Sequence, residues 1–186
     1  NSSGAASRPR CHSAPLPNLE PMLRFLALLA AAVLPTAAVA QQSASVSDVR
    51  YDLAFTSATA QLRSLTVTTR FEAGGTSPVL LSLPSWTPGA YEVSNFARRV
   101  SSFTAAQGGA PLAWDKADPD TWRIRPTGRG TVTITFEFLA DQLDNAMAWS
   151  REEFAFFNGT NIFPYAEGRS LDFPATVRVK TEADWR

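Results

Sequence analysis

The chain has 186 residues, about one domain's worth, with 45% hydrophobic and 18% charged residues. That composition can bury a core and is not that of a disordered chain. Seventeen basic residues balance seventeen acidic ones, so the basic excess that nucleic-acid binding requires is missing.

Residues 1–21 are rich in Ser, Ala, Pro and Arg, without an apolar period; they cannot bury much surface and are expected to be disordered. Met22 opens MLRFLALLAAAVLPTAAVAQQ. Arg24 is a short positive region, Phe25–Leu34 is an unbroken apolar run, and Ala38-Val39-Ala40 is a small-residue cleavage site before Gln41. Residues 22–40 therefore read as a secretory signal peptide cleaved near Ala40–Gln41. The run is too short for a membrane span of about 20 residues, and Pro35 interrupts the stretch. Secretion or periplasmic export is expected. Met22 is the expected translation start, with residues 1–21 as upstream sequence. Peptides from before Met22 in the native precursor would contradict that.

After cleavage the chain loses Arg8, Arg10 and Arg24 from the basic side and Glu20 from the acidic side, which leaves a net charge of −2. Cys11 and His12, the single residues of their types, both precede Met22. The mature chain thus has no Cys and no His. Disulfides, thiol nucleophiles, His acid–base chemistry, a Ser-His-Asp triad and a zinc site of the usual Cys and His ligands are all excluded within it.

Residues 41–47 form a short polar leader, and period two dominates after it. Val49, Tyr51, Leu53 and Phe55 alternate with polar residues over 49–56. Leu65, Val67, Thr69 and Phe71 do so over 64–71, and Val132, Ile134, Phe136 and Phe138 over 131–138. Thr176–Thr181 places Val177 and Val179 inward, with Arg178 and Lys180 outward. Each is a strand with one buried face. Val79–Leu83, Val100–Ala106, Pro111–Trp114 and Thr121–Arg125 are shorter candidates.

Turn signals separate these strands. Gly74-Gly75 divides the second from the third. Thr87-Pro88-Gly89-Ala90 reads as a type II turn, Gly108-Gly109 as a hairpin, and Asp118-Pro119-Asp120 as another turn. Only Ser94–Arg99 and Asp144–Glu153 fit a helical turn. The pattern predicts an all-β domain, an antiparallel sandwich or saddle-like sheet. The chain stops at Glu182-Ala183-Asp184-Trp185-Arg186 directly after a strand, so it is expected to continue into a further domain.

Three groups of residues are candidates for function. LPSWTPGAYEVSNFARRV, residues 83–100, gathers Trp86, Tyr91 and Phe96 near Arg98-Arg99. It reads as an aromatic platform with a cationic rim for peptide or sugar, or as packing that closes the end of the sandwich, the reading favoured because buried aromatics dominate core energetics. Trp114 and Trp122 fit a carbohydrate groove or, preferably, alternate aromatic positions on edge strands. Asp141, Asp144, Glu152 and Glu153 offer carboxylates for a glycosidase pair, but carboxylates in a polar loop are usually solvated. The third group is FAFFNGTNIFPYAEG, residues 154–168. Asn158-Gly159-Thr160 fits a glycosylation sequon, which the bacterial-looking signal peptide disfavours. Asn158-Gly159 also predicts a type I′ hairpin with Phe156 and Phe157 paired against Ile162 and Phe163.

The strand YDLAF, then LPSWTPGAYEVSNFARRV, PLAWDKADPDTWRI and FFNGTNIFPYAEG, in that order, resemble the N-terminal domain of the glycyl aminopeptidases. These are zinc metallopeptidases of the thermolysin-like clan, often with a C-terminal PDZ domain. The resemblance runs from about Val49 to Arg186 and assigns 48–186 to that β domain. It implies a downstream catalytic domain whose H-E-x-x-H binds zinc, and removal of N-terminal glycine or alanine from peptides. No cofactor is expected in this chain itself, which by itself should be inactive. It also implies that Asn158, Gly159, Thr160 and Asn161 line the cleft, with the amide oxygen of Asn158 or Asn161 accepting from the substrate ammonium. Trp86, Tyr91, Phe157 and Tyr165 would make interdomain or cleft contacts. The competing expectation is a free-standing secreted β-sandwich that binds peptide or glycan. Neither reading includes a nucleic-acid partner or a membrane span.

Overall fold

The computed structural model describes residues 41–186 except Ala90, Asn145, Asp184 and Arg186. The expectations for residues 1–40, disorder before Met22 and a signal peptide after it, lie outside the described residues.

The described chain is built from short strands. They are β1 (Val46–Ala54), β2 (Ser64–Gly75), β3 (Val79–Ser82), β4 (Val100–Gln107), β5 (Ala110–Pro111), β6 (Trp114–Asp118), β7 (Thr121–Ile124), β8 (Gly128–Leu139), β9 (Trp149–Ser150), β10 (Ala155–Phe156), β11 (Tyr165–Ala166) and β12 (Ala175–Lys180). One sheet has the order β12-β1-β2-β8-β4-β5, and a second has the order β11-β3-β7-β6. A two-stranded ribbon pairs β9 with β10. Every pairing is antiparallel except β1 with β12.

The sandwich follows from alternation. Leu53, Leu65, Val67, Phe71, Val132, Ile134, Phe136 and Phe138 are all buried on one face of the larger sheet. Val79, Leu81, Trp122 and Ile124 of the smaller sheet belong to the same core cluster. Phe103 of β4 joins the layers: its ring stacks on Trp122 at 5.1 Å and on Phe136 at 6.3 Å.

The polar outer face is paired in kind. Thr68 and Thr135 hydroxyls meet across β2 and β8 at 3.2 Å. Arg50 and Arg70 are cross-strand neighbours, a repulsive placement. Arg50 is paired with Asp48 at 2.6 Å and Arg70 with Asp52.

Gly108 and Gly109 close the β4–β5 hairpin at φ +58° and +84°, as two-residue hairpins of the primed type require. Nothing lies within 4 Å of a Cβ built at Gly109, so the cost of adding one is purely conformational. Gly109→Ala is expected to cost about 1 kcal/mol, read from the urea midpoint; an unchanged midpoint would contradict it.

Several expectations are corrected. Gly74 and Gly75 do not leave the sheet: they pair with Arg129 and Gly128, and the chain turns over Thr76–Pro78. Asp144–Glu153 is not helical. Asp144 Oδ1 accepts from the backbone N–H of Ala146 and Met147, both at 2.8 Å, which folds the segment into a turn before β9. A helix forms instead at Ser57–Gln61. Its capping box is made by two threonines: Thr59 Oγ1 accepts from Thr56 N–H at 2.9 Å, and Thr56 Oγ1 accepts from Thr59 N–H at 3.4 Å. The usual Glu or Gln signal is absent from that pattern. The predicted turn at Ser94–Arg99 is a 3-10 turn over Phe96–Arg99. Finally, Val177 and Val179 are not buried; they are 50% and 52% exposed. Their partners in register are Tyr51 and Leu53, which are buried, so the valines share the core-side face. The smaller sheet ends at β11 and nothing described covers them.

Candidate functional site

The Asn158–Asn161 segment is a single helical turn, not a hairpin. Asn158 is extended, at φ −103° and ψ 119°, and caps the Gly159–Ile162 turn. Its Oδ1 accepts from Thr160 N–H at 3.1 Å, as Asn commonly does at helix starts. Phe163 N–H donates to the Gly159 carbonyl at 3.0 Å. Gly159 lets the Phe163 ring lie close: a Cβ there would meet that ring at 3.2 Å, and the ring would have to shift by a few tenths of an ångström. Phe163 is fixed in turn by Tyr51, stacked at 4.6 Å, and Phe157 meets it edge-on at 6.4 Å. Tyr51 donates to the Pro164 carbonyl at 2.8 Å, and burial pushes its hydroxyl pKa up to about 12. The tertiary contacts of Phe163 thus override the hairpin preference of Asn-Gly.

The two asparagines differ in what they can offer. Asn158 is half-buried, and its capping oxygen has a second lone pair. Asn161 is 1% exposed. Its Nδ2 donates to the Ala146 carbonyl, and its Oδ1 has no hydrogen-bond partner among the described residues.

The second predicted group lies on a loop, residues 84–95. Ser85 closes it at the base: its carbonyl accepts from Ser94 N–H at 2.8 Å and Asn95 N–H at 2.9 Å, and its hydroxyl bonds the Asp120 carboxylate. Between these ends Trp86 is 50% exposed and Tyr91 96% exposed. The packing reading of these aromatics is therefore corrected: they do not fill the end of the sandwich. Gly89 takes φ +89°, in line with the expected turn, and Tyr91 and Asn95 also take positive φ, at +54° and +48°. A bulky residue in that region carries conformational strain. Tyr91→Ala is expected to change stability by less than about 0.5 kcal/mol in thermal unfolding; a loss above about 1.5 kcal/mol would mean that the ring is packed.

Register brings the two groups to one end of the smaller sheet. Tyr165, three residues beyond the helical turn, pairs with Ser82, and Ser82 leads through Leu83 into the aromatic loop. Burial raises the Tyr165 pKa, and the charges of Glu167, Asp120 and Asp118 raise it further.

The remaining candidates are structural. Arg99 is no rim cation: its side chain is 13% exposed and donates to Asp141 at 2.6 Å and Gln142 at 2.7 Å. Asp141 is thereby engaged, and Asp144 accepts from the Gln142 amide at 2.7 Å and from the N–H groups of Ala146 and Met147, so the two are not a free acid pair. Trp122 is buried on an inner strand rather than an edge, and the Lys116 ammonium covers its ring 3.2 Å from the centroid. Trp114 does sit on the edge strand β6, edge-on to Phe103 at 4.7 Å. Sequence reasoning missed the Ala146 carbonyl that holds Asn161; a main-chain partner leaves no mark in side-chain pattern.

Among the described residues no group of three or more His, Cys, Asp or Glu is arranged to hold a metal ion. The resemblance places zinc in a downstream catalytic domain and not on these residues. No helix among the described residues is long and apolar enough to cross a membrane.

This two-layered fold is similar to part of a solved aminopeptidase family structure. It matches the crystal structure of an aminopeptidase N family protein from Idiomarina loihiensis with a TM-score of 0.63 and 21% identity, over 73% of this chain and 22% of that one. An M1 zinc metallopeptidase from Deinococcus radiodurans is also similar, with a TM-score of 0.42 and 18% identity over 77% and 34% of the two chains. No curated protein matches. The family profile of the peptidase M61 N-terminal domain matches residues 50–186, and the chain belongs to that family. It spans 22% of the length of the Idiomarina structure.

Proposed function

We propose that this domain is the non-catalytic, substrate-side part of an exported zinc aminopeptidase of the glycyl aminopeptidase type. The family match over 50–186 carries the reading. A catalytic domain downstream would supply zinc and the general base; a PDZ domain is expected beyond it. The signal-like segment before Gln41 supports secretion or periplasmic export.

In this reading, the helical turn and the aromatic loop face the cleft, and the peptide substrate's ammonium is met by Asn158. Its Oδ1 is the more accessible of the two amide oxygens and can accept a second hydrogen bond without placing a full charge in the cleft. Asn161 holds the turn in place. Trp86, Tyr91, Phe157 and Tyr165 border the same end.

Kinetics of the complete gene product test this. Ser keeps the helix cap but has too short a reach for the substrate. Asn158→Ser is expected to raise KM for a glycyl anilide about tenfold, the worth of one hydrogen bond to a charged group, with stability nearly unchanged. Unchanged kinetics would remove Asn158 from the site.

The exposure of Trp86 and Tyr91 also favours a second reading, a free-standing module that binds peptide or glycan on that loop. An H-E-x-x-H in frame beyond the Arg186 codon supports the peptidase; a stop codon there supports the module.

A further inference from the structure

Thr69 interrupts the apolar row on the core face of β2. Leu65, Val67 and Phe71 share that face, and in register Thr69 lies between Tyr51 of β1 and Ile134 of β8. It is 1% exposed, and its hydroxyl has no hydrogen-bond partner among the described residues. Valine would fill the position with nearly the same shape and no polar atom to satisfy. Thr69 lines a cleft of about 300 Å³ between the sheets, the lower end of the range for small-molecule sites. Tyr51 and Phe71 of the larger sheet, Leu81 of the smaller one, and Phe173 and Pro174 beyond β11 form much of its wall. The Tyr51 hydroxyl is spent on the Pro164 carbonyl at 2.8 Å, so Thr69 is the free polar group at the buried end. Charge stands at the exposed rim. Asp48 is paired there with Arg50 at 2.6 Å. Arg169 Nε donates to the Ser43 carbonyl at 2.8 Å, and neither Arg169 nor Asp172 forms an ion pair among the described residues.

We propose that this cleft binds a small aromatic monocarboxylate with a hydroxyl at its far end, a para-hydroxyphenyl alkanoate. Each part of that ligand answers a feature of the cleft. The ring lies among Tyr51, Phe71 and Phe173, where aromatic faces and edges pair favourably. The ring hydroxyl reaches the Thr69 hydroxyl; each can donate or accept, so one bond satisfies both. A plain alkyl tail would leave Thr69 buried and unpaired, which works against a simple fatty acid. The carboxylate stays at the rim and meets the terminal nitrogens of Arg169, whose fork suits that group. Asp172 on the same rim disfavours a second negative charge. The volume, worth about ten waters of bulk liquid, suits one ring with a short chain. Closing the cleft on such a ring releases water from mostly apolar walls. The site stands whether or not the complete protein hydrolyses peptides.

Calorimetric titration of the complete gene product with 3-(4-hydroxyphenyl)propionate and with 3-phenylpropionate tests this. The hydroxylated acid is expected to bind about five- to tenfold more tightly, the worth of one neutral hydrogen bond. In Thr69→Val that preference should vanish, while 3-phenylpropionate binds as before. Arg169→Gln should weaken both acids about tenfold, the loss of a hydrogen bond to a charged group. Circular dichroism checks that each variant is folded, and the comparison of the two acids on the parent protein needs no variant at all. Absence of saturable binding, or equal affinity for the two acids, would overturn the proposal. So would a preference that survives in Thr69→Val, or binding insensitive to both substitutions, which would place the acid elsewhere, for instance on a metal ion of a further domain. Hydrolysis of a glycyl anilide is assayed alongside. An active product that binds neither acid removes this site alone; an inactive product that binds as described removes the peptidase reading alone.

Discussion

Phe136→Ala is expected to cost about 3–5 kcal/mol, the range for truncating a buried phenylalanine. Phe136 is 1% exposed at the centre of β8, the strand that pairs with both β2 and β4. Its ring lies under Phe103, which in turn stacks on Trp122 of the opposite sheet. Removing the ring therefore opens a hole where the two layers meet, and the neighbours that could collapse into it are themselves held in ladders. A domain has about 5–15 kcal/mol in total, so a third or more of the stability is at stake. Urea unfolding followed by tryptophan fluorescence reads the loss. A change below about 1.5 kcal/mol would mean that the layers are not joined at Phe136.

Asn161→Asp is expected to cost about 3–5 kcal/mol at neutral pH, the scale for leaving a charge buried and uncompensated. The amide sits at 1% exposure and donates to the Ala146 carbonyl. A carboxylate there loses the donor and faces that carbonyl oxygen. Burial raises its pKa in the folded state. The sign follows from linkage: the folded variant holds its proton at a pH where the unfolded chain has released it. The deficit against wild type is thus largest at neutral pH and shrinks as pH falls through the folded pKa toward the unfolded value. Asn161→Leu loses the hydrogen bond without adding charge, so its deficit should be smaller and independent of pH over that interval. Urea midpoints at several pH values separate the two; equal, pH-independent deficits would contradict the account.

Sidedness was legible in the sequence, but coverage was not. The alternation over 64–71 and 131–138 correctly identifies the buried faces of β2 and β8, because both strands lie in the middle of the sheet with a second layer opposite. The same alternation in β12 names the right face for Val177 and Val179 but not their exposure. That depends on where the other sheet stops, and period two contains no record of it. Trp86 and Tyr91 fail for a related reason: the sequence gives aromatic content, while the hydrogen bonds from Ser94 and Asn95 to Ser85 decide that the loop projects outward. The Asn158-Gly159 dipeptide favours a hairpin, but Asn is also a good helix cap. The choice between them was made by Tyr51, more than a hundred positions away in the chain, which holds Phe163 and Pro164.

The central claim is that this β domain serves a zinc aminopeptidase. The direct measurement is hydrolysis of glycine and alanine p-nitroanilides by the complete gene product, before and after metal chelation. The account predicts release of nitroaniline that chelation abolishes and zinc restores. A folded, zinc-supplied product that leaves both substrates intact would contradict it.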